Sequence, residues 1–462
     1  MISLQKSIRS LFLAAAALPG ILHAQSALSE QADKLNSQIF SRFIGKHGIM
    51  YDYAGLHGEV QLPSKEECES MKPNALGWWT PIENGGFFNG LYLIEQCRRY
   101  VNSKNEKDKE HVRTLVRGLL LLQDAGRTPG FIARGVGSDG QSHYPCSSND
   151  QVYPWYLGLD AYLNTDIPGA EERKEIAARL ERQTKNLQKN SWILCGDPAQ
   201  GNPKNFSWGS FRPGDYVTSV HILVITELAA RHTGKAEWRK LHERLRSQKL
   251  KNGQTVLQCV EAGPAKMPAW SSWYMAGVQY GVRLLRDAEK NPEIRSAYQR
   301  ALQKNAKLAL PLIRLHRKFK IAGERPRFTP DWRSMMPPWR PQLNAQEARK
   351  LAMEQQHIWH SEKSPALGEE KASLMPAASA AWNIVLTGDP GLLEQARPEI
   401  MAMLSRVRGK NLYYAASLFY LENTITALLD TQYRSLAQTP PATGRITSDS
   451  PSMLFTDGQK LM

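Results

Sequence analysis

The stretch ENGGFFNGLYLIEQC, Glu83 to Cys97, decides how the chain is read. It opens on a polar, glycine-rich turn and runs on as an apolar and aromatic helix. A helix that is apolar on all sides needs protein around most of it, whereas an amphipathic one needs a neighbour on one face only. The segment that follows, KEHVRTLVRGLLLLQ (Lys109 to Gln123), is of the second kind. The two kinds then alternate. SSNDQVYPWYLGLDAYL (Ser147 to Leu163) and GDYVTSVHILVITELAA (Gly214 to Ala230) are apolar and open on Gly/Asn/Asp/Ser-rich loops. ERKEIAARLERQTKNL (Glu172 to Leu187) and KAEWRKLHERLRSQ (Lys235 to Gln248) are charged. Such alternation predicts two concentric layers of helices, with the loops that open the inner ones gathered around one pocket.

Helical periodicity dominates and strand signals are weak. Helices are expected near 27–44, 84–101, 107–124, 148–163, 170–188, 215–233, 235–248, 268–287, 292–316, 373–387, 391–406 and 411–430, with 344–358 an extra element in the excursion opened by the Pro-rich run 326–341. Small residues recur in the apolar set: Gly85, Gly86 and Gly90, then Gly158, Gly277 and Gly281, then Ala377, Ala378, Ala415 and Ala416. Glycine inside a helix costs roughly 1 kcal/mol against alanine, so its repeated use implies close helix approach. The expected fold is all-α, an (α/α)6 toroid of six helical hairpins; an irregular bundle or solenoid is the alternative.

The chain begins with Lys6 and Arg9, the apolar run LFLAAAALPGIL and a small-residue site at Ala24. That pattern reads as a signal peptide over 1–24, an apolar run too short to span a bilayer. The expectation is a secreted or periplasmic protein without a membrane span, with the helical domain over 25–432 and a loosely structured extension over 433–462. The formal net charge of +15 falls to +13 without Lys6 and Arg9. This excess attracts anions, but no nucleic-acid motif accompanies it. An anionic sugar chain is the better partner. All five cysteines lie beyond the signal, and none has the CxxC spacing of a zinc cluster. No pairs are assigned.

Candidate site residues cluster at the openings of the apolar helices. Glu83 is a general acid or a carboxylate placed favourably at a helix N-terminus. Asp150 is another such carboxylate, or an acid whose pKa is raised in a Trp/Tyr-lined pocket. His143 and Tyr144 precede it. Arg134 and Arg212 are candidates to hold an anionic group or to tie down their loops. Asp215 is a helix cap or a substrate contact. Trp155, Trp270 and Trp273 are candidate sugar platforms, with core filling as the alternative. His357 and His360 have helical spacing for a metal, but no nearby pair of carboxylates accompanies them and an incidental surface pair is the simpler reading. No metalloprotease, P-loop, dinucleotide-binding or nucleophile-elbow motif occurs, and neither metal nor organic cofactor is expected.

The segments GGFFNGLYLIEQC and NDQVYPWYLGLDAYL resemble two inner helices of the six-hairpin glycosidase superfamily, specifically the unsaturated glucuronyl and rhamnogalacturonyl hydrolases. The resemblance covers those two helices; the His-Asp-Thr-Gly-Phe segment of that group is absent. It implies that Asp150 stands at the position of the acid/base, protonating an unsaturated terminal sugar and then activating water. For a saturated sugar, Glu83 and Asp150 would form an inverting pair about 6.5–9.5 Å apart. A polysaccharide lyase using His143 or Tyr144, and a glycan-binding protein without turnover, are the competing expectations.

Overall fold

The computed structural model describes residues 26–320, 325–407 and 409–437. The expected signal segment and residues 438–462 of the expected extension lie outside these.

The first helix, α1, spans 26–42. It is followed by α2 (Lys65–Glu69), α3 (Gly85–Ser103), α4 (Glu106–Asp124), α5 (Asn149–Leu163), α6 (Ala170–Lys189), α7 (Tyr216–Thr233) and α8 (Ala236–Ser247). Then come α9 (Val256–Ala262), α10 (Ser272–Ala288), α11 (Pro292–Ala309), α12 (Ala345–His357), α13 (Pro365–Ala372), α14 (Leu374–Leu386), α15 (Pro390–Arg406) and α16 (Ala415–Ala437). The fold is all-α. Among the described residues, β contacts are limited to isolated bridges such as Tyr53 with Tyr414. No described helix is long and apolar enough to cross a membrane.

Three boundaries depart from the sequence expectation for local reasons. The helix expected over 292–316 stops at Ala309 and continues as a 3-10 turn over Leu310–Lys318. Pro311 has no N–H to give and its ring crowds the preceding turn. The helix expected from 268 begins at Ser272, after a 3-10 turn over Ala269–Ser271. At the other end α16 runs through 433–437, residues expected to belong to the extension.

The apolar helices contact one another in cyclic order: α3 with α5, α5 with α7, α7 with α10, α10 with α14, α14 with α16, and α16 with α3 again. α3 runs parallel to both of its neighbours, α5 and α16, because contacts advance together along both partners. Gly86 approaches Gln151 and Gly90 approaches Pro154. Phe88 meets Phe419, and Tyr92 meets Glu422 four residues later on α3. The charged helices α4, α8, α11 and α15 pack on α3, α7, α10 and α14 respectively. The N-terminal ends of α3, α5 and α16 therefore share one side of the molecule.

Deeper along the cycle the interior closes on buried polar side chains. Glu422 accepts from Asn36 (3.0 Å), Tyr92 (2.6 Å) and Gln96 (2.8 Å). Burial pushes its carboxyl up to about 7, against the pull of Arg99. Glu95 takes the Trp382 indole N–H at 2.9 Å. Every buried carboxylate here has donors, as the cost of an unpaired buried charge requires.

The Pro-rich run folds onto the loop that precedes α3. Trp332 donates to the Gln61 carbonyl (2.8 Å), Gln355 to Pro73 (3.0 Å) and the Trp79 indole to Ala352 (2.7 Å). The run is thus a packed wall beside the α3 N-terminus, and no separate unit begins there. The five cysteines are free thiols; Cys68, Cys97, Cys146 and Cys259 are buried.

Candidate functional site

The opening of α3 is capped by residues from elsewhere in the chain. Asn84 stands at its N-cap but makes no side-chain cap bond. Its backbone N–H and its amide instead donate to Asp52, at 2.7 and 2.6 Å. The orphan N–H groups of the first turn go to other partners: Gly86 to the Arg134 carbonyl and Phe87 to Gln151 Oε1. Gln151 Nε2 donates in turn to Asn84 Oδ1 (2.9 Å) and to Asp150 Oδ2 (3.3 Å). A continuous chain of hydrogen bonds therefore links two carboxyl groups, Asp52 and Asp150, through Asn84 and Gln151. It also ties the N-termini of α3 and α5 together.

Glu83 sits at the same turn and accepts the Trp79 N–H at 2.8 Å. Asp52 is 1% exposed. Burial pushes its carboxyl well above the usual carboxylate range, and the charge of Glu83 pushes the same way; Lys371 and the Asn84 bonds oppose them. Two acids this close do not both ionise easily. Burial is the largest of these influences, so it favours the neutral form of Asp52.

Aromatic rings and one cation surround these acids. The Lys371 ammonium lies 5.2 Å from the Trp79 ring centre and 4.8 Å from that of Tyr414. Among the described residues no carboxylate pairs with it. His360 packs edge-on against Trp79 at 4.8 Å, with a buried Nε2 that has no hydrogen-bond partner. Burial and Lys371 hold its imidazole well below the ordinary range, so it is neutral. On the other flank Phe87 meets Trp273 at 4.8 Å, and Trp273 meets Tyr274 at 5.5 Å. The charges of Asp215 and Asp150 both act on the Tyr274 hydroxyl.

The structure thus brings Glu83, Asp150 and Trp273 to one side of the molecule, with Asp215 near Tyr274. Asp215 is exposed and caps α7, accepting from the Thr218 N–H at 2.8 Å. Arg212 is exposed on the same loop and donates to the Ser191 carbonyl (2.7 Å). Trp270 stands out in solvent at the opening of α10. Arg134 is committed internally: its guanidinium donates to the carbonyls of Cys146 and Glu83 and to Ser148 Oγ. It holds the loop before α5 against the α3 opening. Trp155 is fully buried and donates to the Leu119 carbonyl at 2.9 Å, toward α4 and away from the acids. Asp52, Lys371 and Trp79 were not expected from the sequence; His360, read there as one of an incidental surface pair, is instead half-buried against Trp79.

His143 and Tyr144 lie apart from the acids. Tyr144 is buried and its hydroxyl donates to the Lys72 carbonyl. His143 lines an outer groove of about 730 Å³ with Lys65, Met71, Arg127 and Asp197. Its Nδ1 faces the Gln141 carbonyl at 3.0 Å and its Nε2 faces Asp197 at 2.9 Å. Both ring nitrogens thus face oxygens of the protein itself, which pins the ring to its own loops. The groove is roomy, yet its chemistry is that of a loop clamp.

Asp197 makes that clamp pH-dependent. Burial would raise its carboxyl, but bonds from His143, Thr128 and the Arg127 N–H win and hold it at about 2. A depressed carboxylate stabilises the fold above its unfolded pKa near 3.9 and loses that contribution as pH falls toward the folded value. Acidification from about pH 4 to about pH 2 is expected to cost the native protein about 1–2 kcal/mol more than Asp197→Asn. Urea unfolding midpoints of the two proteins across this window check it; parallel slopes would refute it.

Compared with known protein families and with curated proteins, the chain matches none.

Proposed function

We propose that the protein is an exported glycoside hydrolase built as an (α/α)6 toroid, acting on an oligosaccharide whose terminal sugar is an unsaturated uronate. The cyclic order of the apolar helices supports the toroid. The observation that carries the chemistry is the Asp52–Asn84–Gln151–Asp150 chain beside Glu83, inside a wall of Trp79, Tyr414, Phe87 and Trp273. Asp150 is the acid/base: it gives a proton to the sugar double bond and then draws one from the attacking water. Glu83 supplies the neighbouring negative charge. Asp52 acts through Asn84 and Gln151, fixing which way both amides face and so which oxygen of Asp150 is held. Lys371, a cation on two aromatic faces with no described carboxylate partner, receives the sugar carboxylate. For a saturated substrate Glu83 and Asp150 serve as the inverting pair.

Incubation with an unsaturated uronate oligosaccharide tests this directly. Loss of the conjugated double-bond absorbance is the expected result. A gain of that absorbance from a saturated polyuronate would mean a lyase, and binding without either change would mean a glycan-binding protein. Lys371→Met is expected to raise KM for the uronate substrate by roughly 10- to 100-fold, the worth of a charge-assisted hydrogen bond of about 1.5–3 kcal/mol. The carboxyl-reduced sugar should feel no such change.

A further inference from the structure

The opening of α10 carries a feature that the acid/base reading leaves unused. Trp270 is 69% exposed, fixed on a short 3-10 turn after Pro268. Its ring centre lies 6.4 Å from that of Tyr274. Tyr274 lies 5.5 Å from Trp273, and Trp273 lies 4.8 Å from Phe87, whose N–H is held by Gln151. Four rings therefore step from solvent to the Gln151 amide that touches Asp150. Tyr274 and Trp273 are half-buried, so exposure falls along the series toward the acids.

An indole left in water forgoes burial worth about 25 cal/mol per Å² of apolar surface. A flat apolar ligand of matching size recovers it. The rim beside Tyr274 is polar, with the exposed Asp215 acting on its hydroxyl. A protein partner would need an interface of roughly 1,000 Å² or more, and one indole on a polar rim does not supply its apolar centre. A pyranose does match: its C–H face covers the ring while its hydroxyls stay with water and the polar rim.

We propose that Trp270, continued inward by Tyr274, is an outer subsite that stacks a sugar of the substrate beyond the one held at Asp150 and Glu83. The protein thus selects chains of several sugars over a single terminal glycoside. This rests on the carbohydrate reading of the site, but binding tests it separately from turnover.

Titration calorimetry of the full chain with an unsaturated uronate tetrasaccharide and with the methyl glycoside of the same terminal sugar provides the test. The wild type should bind the tetrasaccharide about tenfold more tightly, the size of one aromatic stacking contact. Trp270→Ala should remove that preference and leave methyl-glycoside affinity unchanged, while Trp270→Phe should restore part of it. Equal preference in wild type and Trp270→Ala, or no binding of the tetrasaccharide, overturns the subsite. Chain-length-dependent binding with no turnover would sink the hydrolase reading and keep the subsite.

Discussion

Replacing Asp150 by Asn should reduce kcat on the unsaturated oligosaccharide about 1,000-fold, with little change in KM or in thermal stability. The substitution keeps the shape and leaves an oxygen able to accept from Gln151 Nε2, which now lies 3.3 Å from Oδ2. It removes only the exchangeable proton. Positioned acid–base groups contribute about 10²–10⁴-fold, and Asp150 is asked for both proton transfers. Asp52→Asn should behave differently. Asp52 accepts from the Asn84 N–H and from its amide, and an asparagine there must turn one N–H toward a donor. The amides of Asn84 and Gln151 then lose their fixed orientation, and the pH profile of kcat should move together with its height. Single-turnover rates across pH, with circular dichroism as the folding control, separate the two variants. Full activity in Asp150→Asn would remove Asp150 as the acid/base; an unshifted profile in Asp52→Asn would make Asp52 purely structural.

The helices were legible in the sequence because burial writes a period into it. The apolar segments at 85–103, 149–163 and 216–233 and the charged ones between them stand where the alternation put them. That Glu83 and Asp150 stand at neighbouring helix openings was legible for a related reason: each directly precedes or opens an apolar helix, and α3 and α5 run parallel. Directions around an apolar helix were not legible. With no polar face to orient it, nothing in the pattern says that Trp155 points to α4, or that the Arg134 guanidinium is used up on carbonyls and Ser148. Asp52 was hidden more deeply. It lies in the irregular stretch before α3, and it meets Asn84, Glu83 and the charge of Lys371 only in the folded chain. Lys371 and His360 come from a stretch about three hundred residues later, between the helices expected over 344–358 and 373–387, where no periodicity places them.

Gly90→Ala should destabilise the fold by about 2 kcal/mol or more, although helix propensity alone predicts the opposite sign. Alanine is worth roughly 1 kcal/mol over glycine inside a helix. Against that gain, a Cβ at Gly90 would stand 2.2 Å from the Pro154 carbonyl oxygen and 2.4 Å from its carbon. Those atoms are α5 backbone, so no side chain can rotate away, and α3 must separate from α5. Gly158 worsens the case, because its own Cβ position is 2.9 Å from the Gly90 carbonyl. Separation would also stretch the Gln151 bond to the Phe87 N–H, 3.1 Å in the native protein, and with it the hold on Asp150. Activity should therefore fall along with the urea midpoint, while the m-value stays constant. Gly214→Ala is the control: its Cβ meets nothing within 4 Å, and its stability should match wild type. A Gly90→Ala protein as stable as wild type would mean that α3 and α5 do not approach this closely. The apolar helices would then owe their glycines to something other than contact around a crowded axis.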